Sequence, residues 1–208
     1  MGIPHNGRID MHYYGKLPIS IVPPNDPSLM FKATQVTQQD LEDPTFQLII
    51  DQILRFMDEN HIWALAGPEV GLLKRVIFIG YAIDHPEIKS HFVDPRCYIN
   101  PVVSVLKNEG RLIREDCLTM GPYVAQVYRP SHIYVKAMNL VGIEIEFKPS
   151  PKKASLIMHS MDHLDAVRLV DKPSATVVSF TNNYEKEAFL EGKDIQFLHP
   201  QYPTDQEV

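Results

Sequence analysis

A helical apolar stripe, a run of short β segments and a second amphipathic helix follow one another along this 208-residue chain. That order restricts the fold more than any other feature, because a βαβ repeat would alternate the two periodicities instead. Phe46, Ile49, Ile50, Ile53, Leu54 and Met57 recur at helical spacing. Asp43 is the expected N-cap of that helix, Pro44 its first turn and Asn60 its stop. Residues 75–79 read as a buried strand. Residues 97–99, 101–106, 124–128, 132–137 and 143–147 read as short strands punctuated by Gly, Pro and Asn, with Gly142 at a hairpin turn. Ser150-Pro151 opens the second helix, with Ile157, Met161 and Leu164 toward the core and His159 and His163 beside that stripe. The expected class is α+β. Residues 21–183 form the expected domain, 1–20 an extension and 184–208 a charged tail.

The formal net charge of −6 argues against nucleic acid as the main partner. No apolar run approaches a membrane span, and the first residues lack a signal-peptide core. With only Cys97 and Cys117 present, no disulfide framework is implied. These features predict a globular protein of the cytoplasm or an organelle matrix.

Chemistry concentrates in three residues. His159 and His163 are four apart and share one helix face, and Cys117 lies upstream in Glu115-Asp116-Cys117-Leu118-Thr119. Two imidazoles and a thiolate suit a catalytic metal with one open position, and Fe2+, Zn2+ and Ni2+ all accept that donor set.

Three segments resemble peptide deformylase, the metalloenzyme that removes formate from N-formylmethionyl chains. The family's Glu-Gly-Cys-Leu-Ser is similar to Glu115-Asp116-Cys117-Leu118-Thr119. Its Gln-His-Glu-x-x-His-Leu is similar to Met158-His159-Ser160-Met161-Asp162-His163-Leu164. Its Gly-x-Gly-x-Ala-Ala-x-Gln-x-Gly is similar to residues 62–71, from Ile62 to Gly71. Lesser matches at residues 25–29, 99–101 and 127–130 keep the family's order. The resemblance implies mixed antiparallel β-sheets around a central metal-binding helix, one divalent ion on Cys117, His159 and His163, and formylmethionyl peptides or nascent chains as substrate. It also implies the Leu118 backbone N–H as an oxyanion donor and a buried Glu115–Arg129 pair that shapes the pocket.

Two positions depart from the family where its chemistry is done. The family's general base, a Glu, is Ser160 here, and its oxyanion-binding Gln is Glu69. A lost base typically costs about 10²–10⁴-fold in rate, and a lost oxyanion donor about 10²–10³-fold. By resemblance, the segment that pairs with substrate carries Ala64 at a family glycine position and Trp63, which either packs in the core or narrows or reshapes the pocket, and Asp116 adds a charge beside the ligands. Three readings follow. Glu69 acts as a relocated base in an active hydrolase; or the chain is a pseudoenzyme that binds metal and peptide N-termini; or it is a metal-free interaction module.

Other residues carry expectations of their own. Asp162 is either an acceptor for a ligand imidazole or else a helix-surface acid or the partner of an Arg, and Asp165 is weighed in the same way. Cys97 is expected to pack. His61, His85, His91 and His132 have no partner spacing and are expected at the surface.

Overall fold

The computed structural model describes residues 19–82, 92–172 and 176–179. Most of the N-terminal extension, the whole C-terminal tail, His85 and His91 lie outside them. Two helices precede the sheet, α1 (Gln38–Glu42) and α2 (Pro44–Glu59). Asp43 caps α2 by accepting from the Thr45 N–H at 2.8 Å, Pro44 fills the first turn and Asn60 ends the helix, as the sequence predicts. Strands β1 (Ala64–Ala66), β2 (Val76–Ala82), β3 (Phe92–Asp116), β4 (Tyr123–Met138), β5 (Glu144–Phe147) and β6 (Thr176–Ser179) form one sheet. They pair antiparallel in the order β1-β2-β3-β4-β5, with β6 also on β4. Helix α3 (Pro151–Leu164) starts at Ser150, whose hydroxyl accepts from the Lys153 N–H. The α+β class is therefore as expected.

The strands are longer than the sequence suggests. Residues 97–99 and 101–106 belong to one 25-residue strand, and 124–128 and 132–137 to one of 16 residues. Pro101 and Pro130 had read as boundaries. Register shifts near Ile99, Lys107 and Gly110 absorb them, because a bulge bends a strand without ending it. Gly142, at φ 77°, makes the β4–β5 turn.

Two apolar clusters hold the frame. Phe46, Ile49, Ile50, Ile53 and Met57 of α2 pack with Phe78 and Ile99. Ile157 and Leu164 of α3 pack on Ile77, Ile79, Ile133 and Val135. Met161, expected in the core, is only half-buried, whereas Ser160 and His163 are buried. Cys97 pairs across the sheet with Phe78, and burial pushes its thiol pKa up. The second cluster fixes α3 over the sheet with its histidines facing the end of β3.

Candidate metal centre and active site

Each arm of the site is set by a local rule. After β1 the chain makes a tight 3-10 turn, Gly67–Val70, that carries Glu69. Gly67 is required there: a Cβ would lie 2.5 Å from the Leu72 carbonyl oxygen and 2.9 Å from that of Lys74. Gly71 closes the turn at φ 79°, a conformation that disfavours a side chain. The turn buries Glu69, whose Oε2 accepts from the Ala66 N–H at 2.8 Å. Cys117 ends β3 and opens the short turn Leu118–Met120. The first N–H of such a turn has no internal acceptor, so that of Leu118 is available to a ligand. The i, i+4 spacing on α3 brings His159 and His163 to the same side, with ring centroids 5.1 Å apart.

Glu69, Cys117, His159 and His163 each offer one donor atom, and these atoms lie within 4.8 Å of one another. Cys117 Sγ is 3.2 Å from His163 Nε2 and 3.6 Å from Glu69 Oε1. Glu69 Oε1 is 3.5 Å from His163 Nε2. Tetrahedral ligands at zinc-like bond lengths stand roughly 3.4–3.8 Å apart, so this donor set fits a divalent ion. The charges also fit. Burial pushes the Cys117 thiol up, but hydrogen bonds with His159 and His163 outweigh it and bring it down to about 7. Burial opposes charge on His159, yet Cys117 and Glu115 raise it to about 10. Burial likewise opposes charge on His163, and Glu69 and Cys117 raise it. The cluster thus holds a proton that a bound cation would displace.

Behind His159 runs a buried ionic relay. Its Nδ1 meets Glu115 Oε2 at 3.0 Å. Arg129, 1 % exposed, donates from Nε and Nη2 to the two Glu115 oxygens at 2.8 and 2.7 Å. Its Nη1 donates to Asp162 Oδ2 at 2.7 Å, and Lys172 Nζ reaches both Asp162 oxygens. This corrects one expectation for Asp162. Its oxygens meet Arg129 and Lys172, and among the described residues the imidazole acceptor is Glu115, for His159. The Nδ1 of His163 and the Ser160 hydroxyl have no protein partner among the described residues. Asp165 pairs with Arg75 at 2.8 Å.

Burial pushes the Glu115 carboxyl up, but the Arg129 and His159 contacts outweigh it and hold the group at about 2. A depressed carboxylate stabilises the fold above its ordinary value near 4.5 and ceases to do so as pH falls toward 2. We expect unfolding free energy to drop by about 3 kcal/mol across that window. Denaturant titrations at pH 6, 4 and 2.5 measure the drop, and a Glu115→Gln protein that keeps the same slope would refute the assignment.

A cavity of about 550 Å3 opens beside the ligands, lined by Trp63, Ala64, Glu115, Asp116, Leu118 and His159 among others. Trp63 therefore stands on a wall of the cavity. Lys152 Nζ lies 4.4 Å from its ring centroid. Three cationic lining residues, Arg111, Arg114 and Lys152, were not singled out from the sequence. The paired basic residues that follow Ser150-Pro151 were the available signal for Lys152.

Comparison with known proteins places these features in one family. Residues 18–178 match the family model of polypeptide deformylase. The chain is 37 % identical over 155 residues to a peptide deformylase of Cellvibrio japonicus, covering 74 % of this chain and 85 % of that one. It is 31 % identical over 162 residues to the chloroplastic/mitochondrial peptide deformylase 1A of Arabidopsis thaliana, covering 73 % of this chain and 60 % of that one. Among solved structures, a Met-Ala-Ser-bound class I type b peptide deformylase from Acinetobacter baumannii superposes with TM-score 0.66 at 23 % identity. That match covers 74 % of this chain and 98 % of the other.

Proposed function

The chain belongs to the peptide deformylase family, and on that premise we propose that it is a metal-dependent hydrolase. Its reaction is release of formate from formylmethionyl peptides or nascent chains, with Glu69 as the base. The placement of Glu69 carries this reading. One carboxylate oxygen is pinned by the Ala66 N–H, and the other reaches into the ligand cluster. A general base must lie within hydrogen-bond reach of the proton it takes. Among the described residues, Glu69 is the cluster's one carboxylate, and Ser160 cannot hold a proton in reserve near neutrality.

Cys117, His159 and His163 would hold the ion, which when bound polarises the formyl carbonyl and acidifies water. The remaining work falls to the chain. Glu69 Oε1 accepts the proton of the attacking water and returns it to the departing amine. The Leu118 N–H donates to the oxygen on which charge develops. β1 is an edge strand of the sheet, and the substrate backbone adds alongside it past Ala64. Trp63 and Asp116 shape the pocket beyond, while Asp162 fixes Arg129, which holds Glu115 and so orients His159. No described helix is long and apolar enough to cross a membrane. The location proposed for the protein is the cytoplasm or an organelle matrix.

Formate release from formyl-Met-Ala-Ser and metal content, measured on one anaerobically purified sample, test this reading. We expect one Fe2+, Zn2+ or Ni2+ ion per chain. Turnover should be about 1 s⁻¹ or below, since an oxyanion donor is missing. A fully loaded sample that releases no formate refutes it.

One observation favours a second reading. Glu69 Oε1 stands at ligand-like separations from Cys117 Sγ and His163 Nε2. If it completes a four-ligand site, the ion is structural and the chain binds peptide N-termini without turnover.

A further inference from the structure

The cavity carries a charge opposite to that of the chain. The protein's formal net charge is −6, yet Arg111, Arg114 and Lys152 line this one cavity. Among its lining carboxylates, Glu115 is neutralised by Arg129 and Glu69 belongs to the ligand cluster. Asp116 is left opposite three cations. The cations come from different elements, two from β3 and one from the first turn of α3.

Arg111 and Lys152 make no ion pair among the described residues; the contact of the Lys152 ammonium is the face of Trp63. Lys152 is also the second residue of a 14-residue helix whose first turn holds no acid. The helix dipole favours acids there, so a lysine at that end is unfavourable for the fold alone. Dipole, lysine and arginines instead add to a positive potential that draws an anion into the cavity.

Resting on the hydrolase reading above, we propose that this site selects formylated substrates bearing a carboxylate close to the formyl group. Arg111, Arg114 and Lys152 read that carboxylate. Its source is either the free C-terminus of an N-formyl amino acid or dipeptide, or an acidic side chain on the second residue. The distance from the formyl group must be short because the same cavity wall includes Cys117 and His159.

The test compares formyl-Met-Ala as the free acid, formyl-Met-Ala-amide and formyl-Met-Asp-amide. At low salt, kcat/KM for a carboxylate-bearing compound should exceed that of formyl-Met-Ala-amide by about tenfold. The preference should shrink to less than about threefold in 0.5 M NaCl, and likewise in the Arg111→Gln/Lys152→Met double variant. Because it is a ratio on one preparation, it does not depend on the fraction folded. Preference for the free acid assigns the carboxylate to the C-terminus, and preference for the Asp compound to the second side chain; either supports the proposal. Equal kcat/KM for all three overturns it. If none is cleaved, the hydrolase reading has failed, and calorimetric titration of the same compounds into the metal-loaded protein decides charge selection separately. About tenfold tighter binding of a carboxylate-bearing compound sustains the proposal, and equal affinities overturn it.

Discussion

Replacing Glu69 by Gln should lower formate release by about 10²–10⁴-fold while one ion per chain is retained. The change is nearly isosteric, so the tight turn closed by Gly71 and the contact with the Ala66 N–H can persist through the amide oxygen. What disappears is the cluster's one carboxylate among the described residues, the group proposed to carry a proton between water and leaving amine. Metal analysis beside the rate measurement separates the two roles open to this carboxylate. A variant that loses both metal and thermal stability identifies Glu69 as a fourth ligand, the arrangement of a structural site. Unchanged turnover with metal intact would remove Glu69 from the reaction altogether.

Arg129→Met should destabilise the protein by about 3–5 kcal/mol, the usual consequence of removing one partner from a buried ion pair. Arg129 is among the largest fully buried side chains and serves two carboxylates at once. Without it, the half-buried carboxylates of Glu115 and Asp162 both lose their guanidinium, with His159 and Lys172 as the remaining compensation. The effect extends to the site, because Glu115 orients His159. Weaker support of a ligand imidazole lowers metal affinity by about 10–100-fold. Urea denaturation measures the first effect and chelator competition the second. A midpoint within error of wild type would show that the relay contributes nothing to stability.

How much of this was legible in the sequence depends on the range over which each feature is encoded. The α2 cap, the α3 start and the His159–His163 face are written within a few residues and were readable directly. The strand lengths were not, because Pro101 and Pro130 look like breaks until β3 and β4 pair around their register shifts. The Glu115–Arg129 pair came from family resemblance. The third and fourth members of the relay, Asp162 and Lys172, became visible only when α3 and the segment after it folded back on β4. Asp162 shows the difficulty well. The sequence offers it an imidazole, an Arg or solvent, and the structure selects Arg129, 33 positions away. Glu69 was recognisable as a changed residue, but its arrival among the ligands depends on a turn that only Gly67 permits.

The division of the site between buried and exposed residues has an evolutionary consequence. Cys117, Glu69 and His163 are buried in contact with one another, so a change at one strands the others. Arg111 and Lys152 are exposed and, among the described residues, commit no other side chain to an ion pair. Lineages of this fold can therefore drift at the cavity wall one exposed residue at a time, whereas changes inside the buried cluster, like the paired departures at Glu69 and Ser160, have to be made together.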